Sequence, residues 1–217
     1  GIKFFIFSSS AAVYGFPNYI PIDERHPLRP TNYYGYTKLS IEHNLKWFSK
    51  LRKLKYASLR YFNASGYDIK RRVLGLETNP QNLIPIVMEV ALGIRPKIEI
   101  FGNSYETSDG TGIRDYIHVT DLALAHIETL KYLHKTNKDL IVNLGTGKGY
   151  SVLDVIRKIS DISGERIEYV YGNSRDGDPP EAIAEVTLAK KLINWEVKHS
   201  DLETIISSTW KLYRQKN

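Results

Sequence analysis

Cysteine is absent from the 217 residues, so neither a disulfide nor a thiolate metal site can form within the chain, a usage that fits a reducing compartment. No apolar run approaches the roughly 18 residues that a membrane span needs, and no basic-then-apolar leader precedes a small-residue cleavage site. The cytoplasm is therefore the expected location, with no membrane partner. The six histidines, His26, His43, His118, His126, His134 and His199, show no HExxH or other close ligand spacing, so no metal site is expected. His118 reads as a hydrogen-bonded structural residue. The net charge is +6, but Lys and Arg cluster only briefly, at 50–55 and 70–72, so a solvated basic surface is expected and no nucleic-acid partner. Such a balance also suits a small phosphorylated ligand, because the summed field steers anions.

What is present is an ordinary globular composition, 42% hydrophobic, enough to bury a core as one large domain or as a domain with an appended lobe. The run 2–7 reads as a buried strand, followed by Ser8-Ser9-Ser10. Hydroxyls at the carboxyl end of a strand in an open α/β sheet lie where ligands bind. Residues 32–51 read as a helix, with Tyr34, Lys38, Ile41, Leu45 and Phe48 recurring at three and four, and 56–62 as a second strand. Strand, helix and strand make a βαβ unit and imply a parallel sheet.

Further along, 67–77 reads as an exposed loop, 83–92 as a short apolar segment stopped by Gly93 and Pro96, and 97–101 as a strand. A polar loop over 102–112 precedes an extended stretch at 116–119. Thr120 is the expected N-cap of a helix to about Lys135, with Leu122, Ala125, Ile127, Leu130 and Leu133 facing inward. A strand at 140–144 is closed by Gly145-Thr146-Gly147, and Ser151 with Asp154 reads as a capping box opening a helix that ends near Gly164. A strand at 167–171 and helices at 186–193 and 202–213 complete the expectation.

One stretch carries chemistry. Tyr34 and Lys38 are four residues apart, which on a helix places a phenol and an ammonium on one face, one turn apart. A phenol ordinarily titrates near ~10, and a cation within roughly 4–6 Å favours the phenolate, so Tyr34 could exchange protons with a substrate hydroxyl. Tyr33 and Tyr36 have the wrong spacing to lie over the lysine. In a chain with 15 tyrosines the pair could also arise by chance.

The order of motifs decides. Ser8-Ser9-Ser10, Tyr34 and Lys38, Arg60-Tyr61-Phe62-Asn63, the string from Gly110 through Arg114-Asp115-Tyr116-Ile117-His118 to Val119, Asn143-Leu144-Gly145-Thr146-Gly147, Ser151-Val152-Leu153-Asp154 and Arg175-Asp176-Gly177-Asp178 together resemble the extended short-chain dehydrogenase/reductase family, and within it the UDP-hexose 4-epimerases. The resemblance covers essentially the whole chain. It implies an α/β fold, the carboxyl-terminal part of a Rossmann-type parallel sheet with a smaller mixed α/β lobe for the sugar nucleotide. Residues 1–66 would belong to the NAD-binding part and 67–217 mainly to the lobe, with about 110–145 returning to the sheet.

By the same resemblance NAD is the cofactor, retained and not consumed, and UDP-glucose and UDP-galactose are the substrates, interconverted by transient oxidation at sugar C4. Tyr34 would be the acid/base on the 4-hydroxyl, Lys38 would hold the nicotinamide ribose, and Ser10 would hydrogen-bond the same hydroxyl. Ser8, Ser9, Tyr61 and Phe62 would border the cofactor, although Ser8 and Ser9 also read as plain strand-end hydrogen-bonders. Asn63 would border the sugar, Asn82 and Leu83 would contribute from a helix start, Phe101 would lie near the uracil, Tyr116 would line the substrate site, Arg114 and Arg175 would clamp the diphosphate, and Asp178 would hold the uridine ribose. From the residues alone the preferred readings are Arg114 as a surface partner of Asp115 or Asp109 and Asp178 as a turn residue before Pro179-Pro180. A homodimer is the implied assembly.

Two features depart from the family pattern. The glycine-rich turn that receives a dinucleotide pyrophosphate is absent, and Gly145 and Gly147 do not replace it because no βαβ half precedes them. With the start at Gly1, this points to a fragment lacking roughly 100 upstream residues and inactive on its own. The second is Ala182, where some relatives carry a bulky aromatic against the sugar C2 substituent; a small side chain suggests that N-acetylated sugars are also accepted. The competing readings are a sister dehydratase, decarboxylase or reductase, against which Ser10-Ala11-Ala12-Val13 offers no carboxylate, and an inactive remnant or a UDP-binding module.

Overall fold

The computed structural model describes residues 1–216. Residues 4–7 of the apolar run and all three serines form one strand, β1 (Phe4–Ser10), which starts later than expected, extends past the expected end and is not a buried strand. It lies at one edge of a parallel sheet, so Phe5 remains 40% exposed while Ser9 is buried. A 3-10 turn (Ala11–Val13) and a proline-punctuated loop lead to helix α1 (Tyr33–Arg52), whose N-cap Asn32 accepts the Gly35 amide at 2.8 Å. The helix returns the chain to β2 (Lys55–Tyr61), parallel to β1. The βαβ unit expected from the sequence is therefore present.

Beyond it run β3 (Asn63–Ser65), α2 (Leu83–Ala91), β4 (Ile98–Phe101), β5 (Ile113–Arg114), β6 (Tyr116–His118), α3 (Val119–Thr136) and β7 (Leu140–Leu144). The chain then forms β8 (Tyr150–Ser151), α4 (Val152–Ser163), β9 (Tyr169–Gly172), β10 (Glu181–Ala182), α5 (Thr187–Ile193) and α6 (Leu202–Lys216). Strand β7 pairs with β2 to give the parallel order β1-β2-β7. Shorter pairings join β3 to β6, β4 to β9, and β5 to both β8 and β10.

Two apolar clusters hold these layers. Leu59, Val142 and Leu144 of the main sheet pack with Leu133 of α3 and Ala189 of α5, all fully buried. Each large aliphatic side chain buried in this way contributes about 1.5–3 kcal/mol. The second cluster joins α2, α4 and α6 through residues such as Met88, Ile159 and Ile205. The capping box that opens α4 forms as the sequence suggests, with Ser151 and Asp154 each accepting the other's amide at 3.0 Å.

Three expectations need correction. The N-cap of α3 is His118 and not Thr120: the His118 Nδ1 accepts the Thr120 amide at 3.0 Å. On α3, Leu122, Ala125 and Leu133 face inward, but Ile127 and Leu130 are half exposed and Thr129 is buried in their place. On α1 the buried positions are Gly35, Glu42, Leu45 and Ser49, whereas Ile41 and Phe48 are exposed. Leu45 apart, the buried positions of that helix are small or polar, so hydrophobic spacing finds only part of its inner face.

His118 ties β6 and α3 to α6. Because Nδ1 accepts an amide, Nε2 carries the proton and donates to Ser208 Oγ at 3.1 Å. Burial holds its pKa below the ordinary histidine value. The neutral ring's contribution to stability is therefore present above the ordinary value near ~6.5 and is lost as pH falls through it towards the depressed folded value. His118→Asn keeps a capping acceptor that does not titrate. Denaturant unfolding should show a smaller loss of stability between about pH 7.5 and 5.5 in the variant than in the parent, and equal slopes would contradict this role.

Candidate active site

The carboxyl end of the main sheet opens on a cavity of ≈ 960 Å³. Among the residues expected at the site, Ser9, Ser10, Tyr34, Tyr61, Phe62, Asn63, Asn82, Leu83 and Tyr116 line it. Neither Tyr33 nor Tyr36 does. The wall also takes in Asp68, Arg72 and Glu77 from the loop after Gly66, and Thr120, Leu124 and Ile127 from α3.

Tyr34 is presented by the first turn of α1, where the helix touches the 3-10 turn after β1. A Cβ on Gly35 would come 2.3 Å from the Ala12 carbonyl oxygen, so only glycine lets the two backbones approach this closely. Lys38, one turn on, places Nζ 5.3 Å from the Tyr34 ring centroid and donates to the Ser8 carbonyl at 3.0 Å. Ser10 Oγ accepts the Ala12 amide at 3.2 Å, so its own hydroxyl proton remains to be donated elsewhere. Ser8 and Lys38 are not among the lining residues; they stand beside them as supports.

Tyr61 is fixed from both sides. His126 donates Nδ1–H to the Leu122 carbonyl at 2.8 Å, which leaves Nε2 to accept from the Tyr61 hydroxyl at 2.8 Å. Ser8 Oγ in turn donates to the Tyr61 oxygen at 3.0 Å. Burial raises the Tyr61 pKa, with the Ser8 bond opposing it.

Behind this rim lies a buried polar layer in which Glu42 and Tyr14 join Ser9, Arg60 and Asn143 of the motifs. Glu42, one turn past Lys38, accepts two bonds from Arg60, at 3.0 and 2.6 Å, and one from Ser9 Oγ at 2.6 Å. Arg60 also donates to Tyr14 Oη at 3.0 Å, and Tyr14 donates to Asn143 Oδ1 at 2.6 Å. Burial, opposed by Arg60 and Asn143, pushes the Tyr14 phenol up to about 12. Burial works against the Arg60 charge, but Glu42 and Tyr14 outweigh it and hold the guanidinium above its ordinary value.

Asn82 and Leu83 line the cavity, but the other residues expected around the nucleotide, Phe101, Arg114, Arg175, Asp178 and Ala182, form a second group outside its lining. The Arg175 guanidinium stacks 3.8 Å from the Phe101 ring centroid. Arg114 lies 3.8 Å from the Asp178 carboxylate, its partner in place of Asp109 or Asp115. Ala182 is in register with Arg114 across β10 and β5. Asn82 caps α2 without using its side chain, which leaves that amide available. Two contacts bind this group to the first. The Thr31 hydroxyl, just before the α1 cap, donates to the Gly177 carbonyl at 3.0 Å. Asp115, between Arg114 and Tyr116, accepts the Asn63 amide on its carbonyl at 2.8 Å and donates its own amide to the Ala182 carbonyl at 3.1 Å.

The Asp115 carboxylate also explains the glycine-rich turn at 145–147. It accepts the Thr146 and Gly147 amides at 2.8 and 2.9 Å, the Thr146 hydroxyl at 2.7 Å and the Ala184 amide at 3.2 Å. A Cβ on Gly145 would meet Asp115 Oδ2 at 2.6 Å. The anion that this turn cradles is the protein's own carboxylate. Burial is the largest influence on Asp115 and keeps its pKa raised despite these donors.

A family model described as GDP-mannose 4,6 dehydratase matches residues 2–209. The UDP-glucose 4-epimerase of Halalkalibacterium halodurans is 44% identical over 215 residues, 99% of this chain and 64% of that protein. A crystal structure of the UDP-glucose-4-epimerase from Stenotrophomonas maltophila, with bound NAD and formylated UDP-arabinopyranose, matches with a TM-score of 0.94 at 38% identity, over 100% of this chain and 65% of that one. The UDP-Glc/GlcNAc 4-epimerase of Campylobacter jejuni matches with a TM-score of 0.80 at 39% identity, over 98% and 65%. The chain spans about 64% of the length of the curated relatives it matches. It belongs to the GDP-mannose 4,6 dehydratase family, within the extended short-chain dehydrogenase/reductase group to which its motifs point.

Proposed function

We propose that the protein carrying this chain is an NAD-dependent 4-epimerase that interconverts UDP-glucose and UDP-galactose. The observation that carries the reading is the convergence of Tyr34 and Ser10 on one cavity, with the Lys38 ammonium one turn behind the phenol. The similarity to proteins named UDP-glucose 4-epimerase supports the same reaction.

NAD, when bound, supplies the acceptor and donor of hydride at the sugar C4. The donor set of this chain fits its nicotinamide end: Lys38, Ser8 and Tyr61 provide an ammonium, a hydroxyl and a ring at the sheet edge, within or beside the cavity. The turn at 145–147 is not a seat for the pyrophosphate, since Asp115 fills it. Tyr34 takes the 4-hydroxyl proton and returns it, and Ser10 donates a hydrogen bond to the same oxygen in both directions. Asn63 and Tyr116 border the sugar. Asn82 and Leu83 at the start of α2, Arg114 and Arg175, Asp178 and Phe101 hold the UDP, the arginines through the bidentate geometry that phosphate oxygens favour.

A 4,6-dehydratase is the second reading, favoured by the description of the matching family model. Against it, no carboxylate follows Ser10, and of the two acids in the cavity wall Asp68 is already held by Arg72 at 2.7 and 2.8 Å. The products separate the two, because dehydration yields a 4-keto-6-deoxy sugar. A homodimer is the proposed assembly, with Trp47, Phe48 and Leu51 exposed on the outer side of α1.

Conversion of UDP-galactose to UDP-glucose should proceed without added reductant. Tyr34→Phe should lower kcat by at least about 10²-fold, the lower end for a lost general acid/base; most of the activity surviving would refute the assignment. Ala182 supports a wider substrate range, with N-acetylhexosamine nucleotides accepted, in keeping with the Campylobacter jejuni relative's name. Ala182→Tyr should depress turnover of UDP-N-acetylglucosamine relative to UDP-glucose by about tenfold, within what a change of pocket size can discriminate. An unchanged ratio would remove the specificity argument.

A further inference from the structure

We propose that Glu42 and Arg60 are positioning residues that set where Tyr34, Lys38 and Ser10 stand, a role that rests on the epimerase reading above. The register of the main sheet shows how. Ser10 and Tyr61 face each other in one row at the carboxyl edge of β1 and β2, with Leu144 of β7 completing it. The row immediately beneath is Ser9, Arg60 and Asn143. Every member of that lower row is buried, polar and bonded to another part of the same network.

Glu42 joins this row to the catalytic helix. Tyr34, Lys38 and Glu42 succeed one another at intervals of four on α1, a single stripe over about two turns. The first member reaches the cavity, the second the Ser8 carbonyl, and the third Ser9 Oγ and the Arg60 fork. Leu45 and Leu39 give α1 its apolar packing, but packing is non-directional, and these directional bonds are what fix the axial register of helix and strand. Tyr14 extends the same constraint to the 3-10 turn that carries the Ser10 cap.

Stability alone does not call for this arrangement. A buried ion pair is commonly replaced by apolar residues of similar volume without loss of stability, whereas removal of one partner leaves a costly unpaired charge. The double variant Glu42→Met/Arg60→Met therefore separates packing from positioning. In the protein carrying this chain it should unfold within about 5 °C of the parent, bind UDP-galactose with KM within about threefold, and lose about 10²-fold in kcat, the loss expected when a reacting group is misplaced by about 1 Å. Tyr14→Phe, which keeps the ring and removes only its bonds to Arg60 and Asn143, should lose about tenfold in kcat with KM unchanged. A folded variant of either kind with parental kcat overturns the proposal.

A parent that does not epimerise UDP-galactose would refute the reaction and not the positioning. Amide exchange then decides: residues 8–10 and 35–38 should exchange at least about tenfold faster in the variants, with α6 unaffected. Parental protection at those amides overturns the proposal independently of turnover.

Discussion

The ion pair between Glu42 and Arg60 is the constraint on which the site's geometry depends. Both side chains are 3% exposed, and the two carboxylate oxygens are taken at 3.0 and 2.6 Å by one guanidinium. An arginine buried in the middle strand of a parallel sheet is expensive unless every donor direction is met, and here Tyr14 meets a further one. The planar fork fixes distance and angle together, which a lysine's point charge would not. Helix, strand and 3-10 turn are brought to one place by the same group.

A second carboxylate organises the side proposed to bind the nucleotide. Asp115 gathers the turn at 145–147 and the Ala184 amide, and its backbone holds Asn63 on one flank and Ala182 on the other. Arg114 and Tyr116 are its immediate neighbours, so the spacing between the proposed clamp and the proposed sugar site is set by one residue. The two carboxylates divide the labour: Glu42 orders the groups proposed to transfer the proton and Asp115 those proposed to bind substrate.

Much of this was legible from residue order. The βαβ unit, the strand at 140–144, the capping box at Ser151 and the Tyr34–Lys38 pair follow from periodicity, propensity and spacing, because local backbone chemistry determines them. Hydrophobic spacing holds only in part: on α1 it finds Leu45 but misses Glu42, Gly35 and Ser49, and on α3 Thr129 displaces Ile127 and Leu130. In both helices tertiary pairing overrides the pattern, and nothing in a linear sequence distinguishes Glu42 from a solvated glutamate. His118 reads correctly as structural, but its role as a cap depends on a ring nitrogen replacing the usual hydroxyl of Thr120. The second group of site residues, Phe101, Arg114, Arg175, Asp178 and Ala182, comes from widely separated loops, and only the order of motifs brought them together.

The central claim is that hydrogen leaves C4 as hydride and returns to it without meeting water, while Tyr34 moves only the hydroxyl proton. The direct test is the fate of deuterium placed at C4 of UDP-galactose, followed by NMR during conversion by the protein that carries this chain. The account predicts UDP-glucose that retains the deuterium at C4. Washout of the label into solvent would mean that the carbon-bound hydrogen is removed as a proton, and would contradict it.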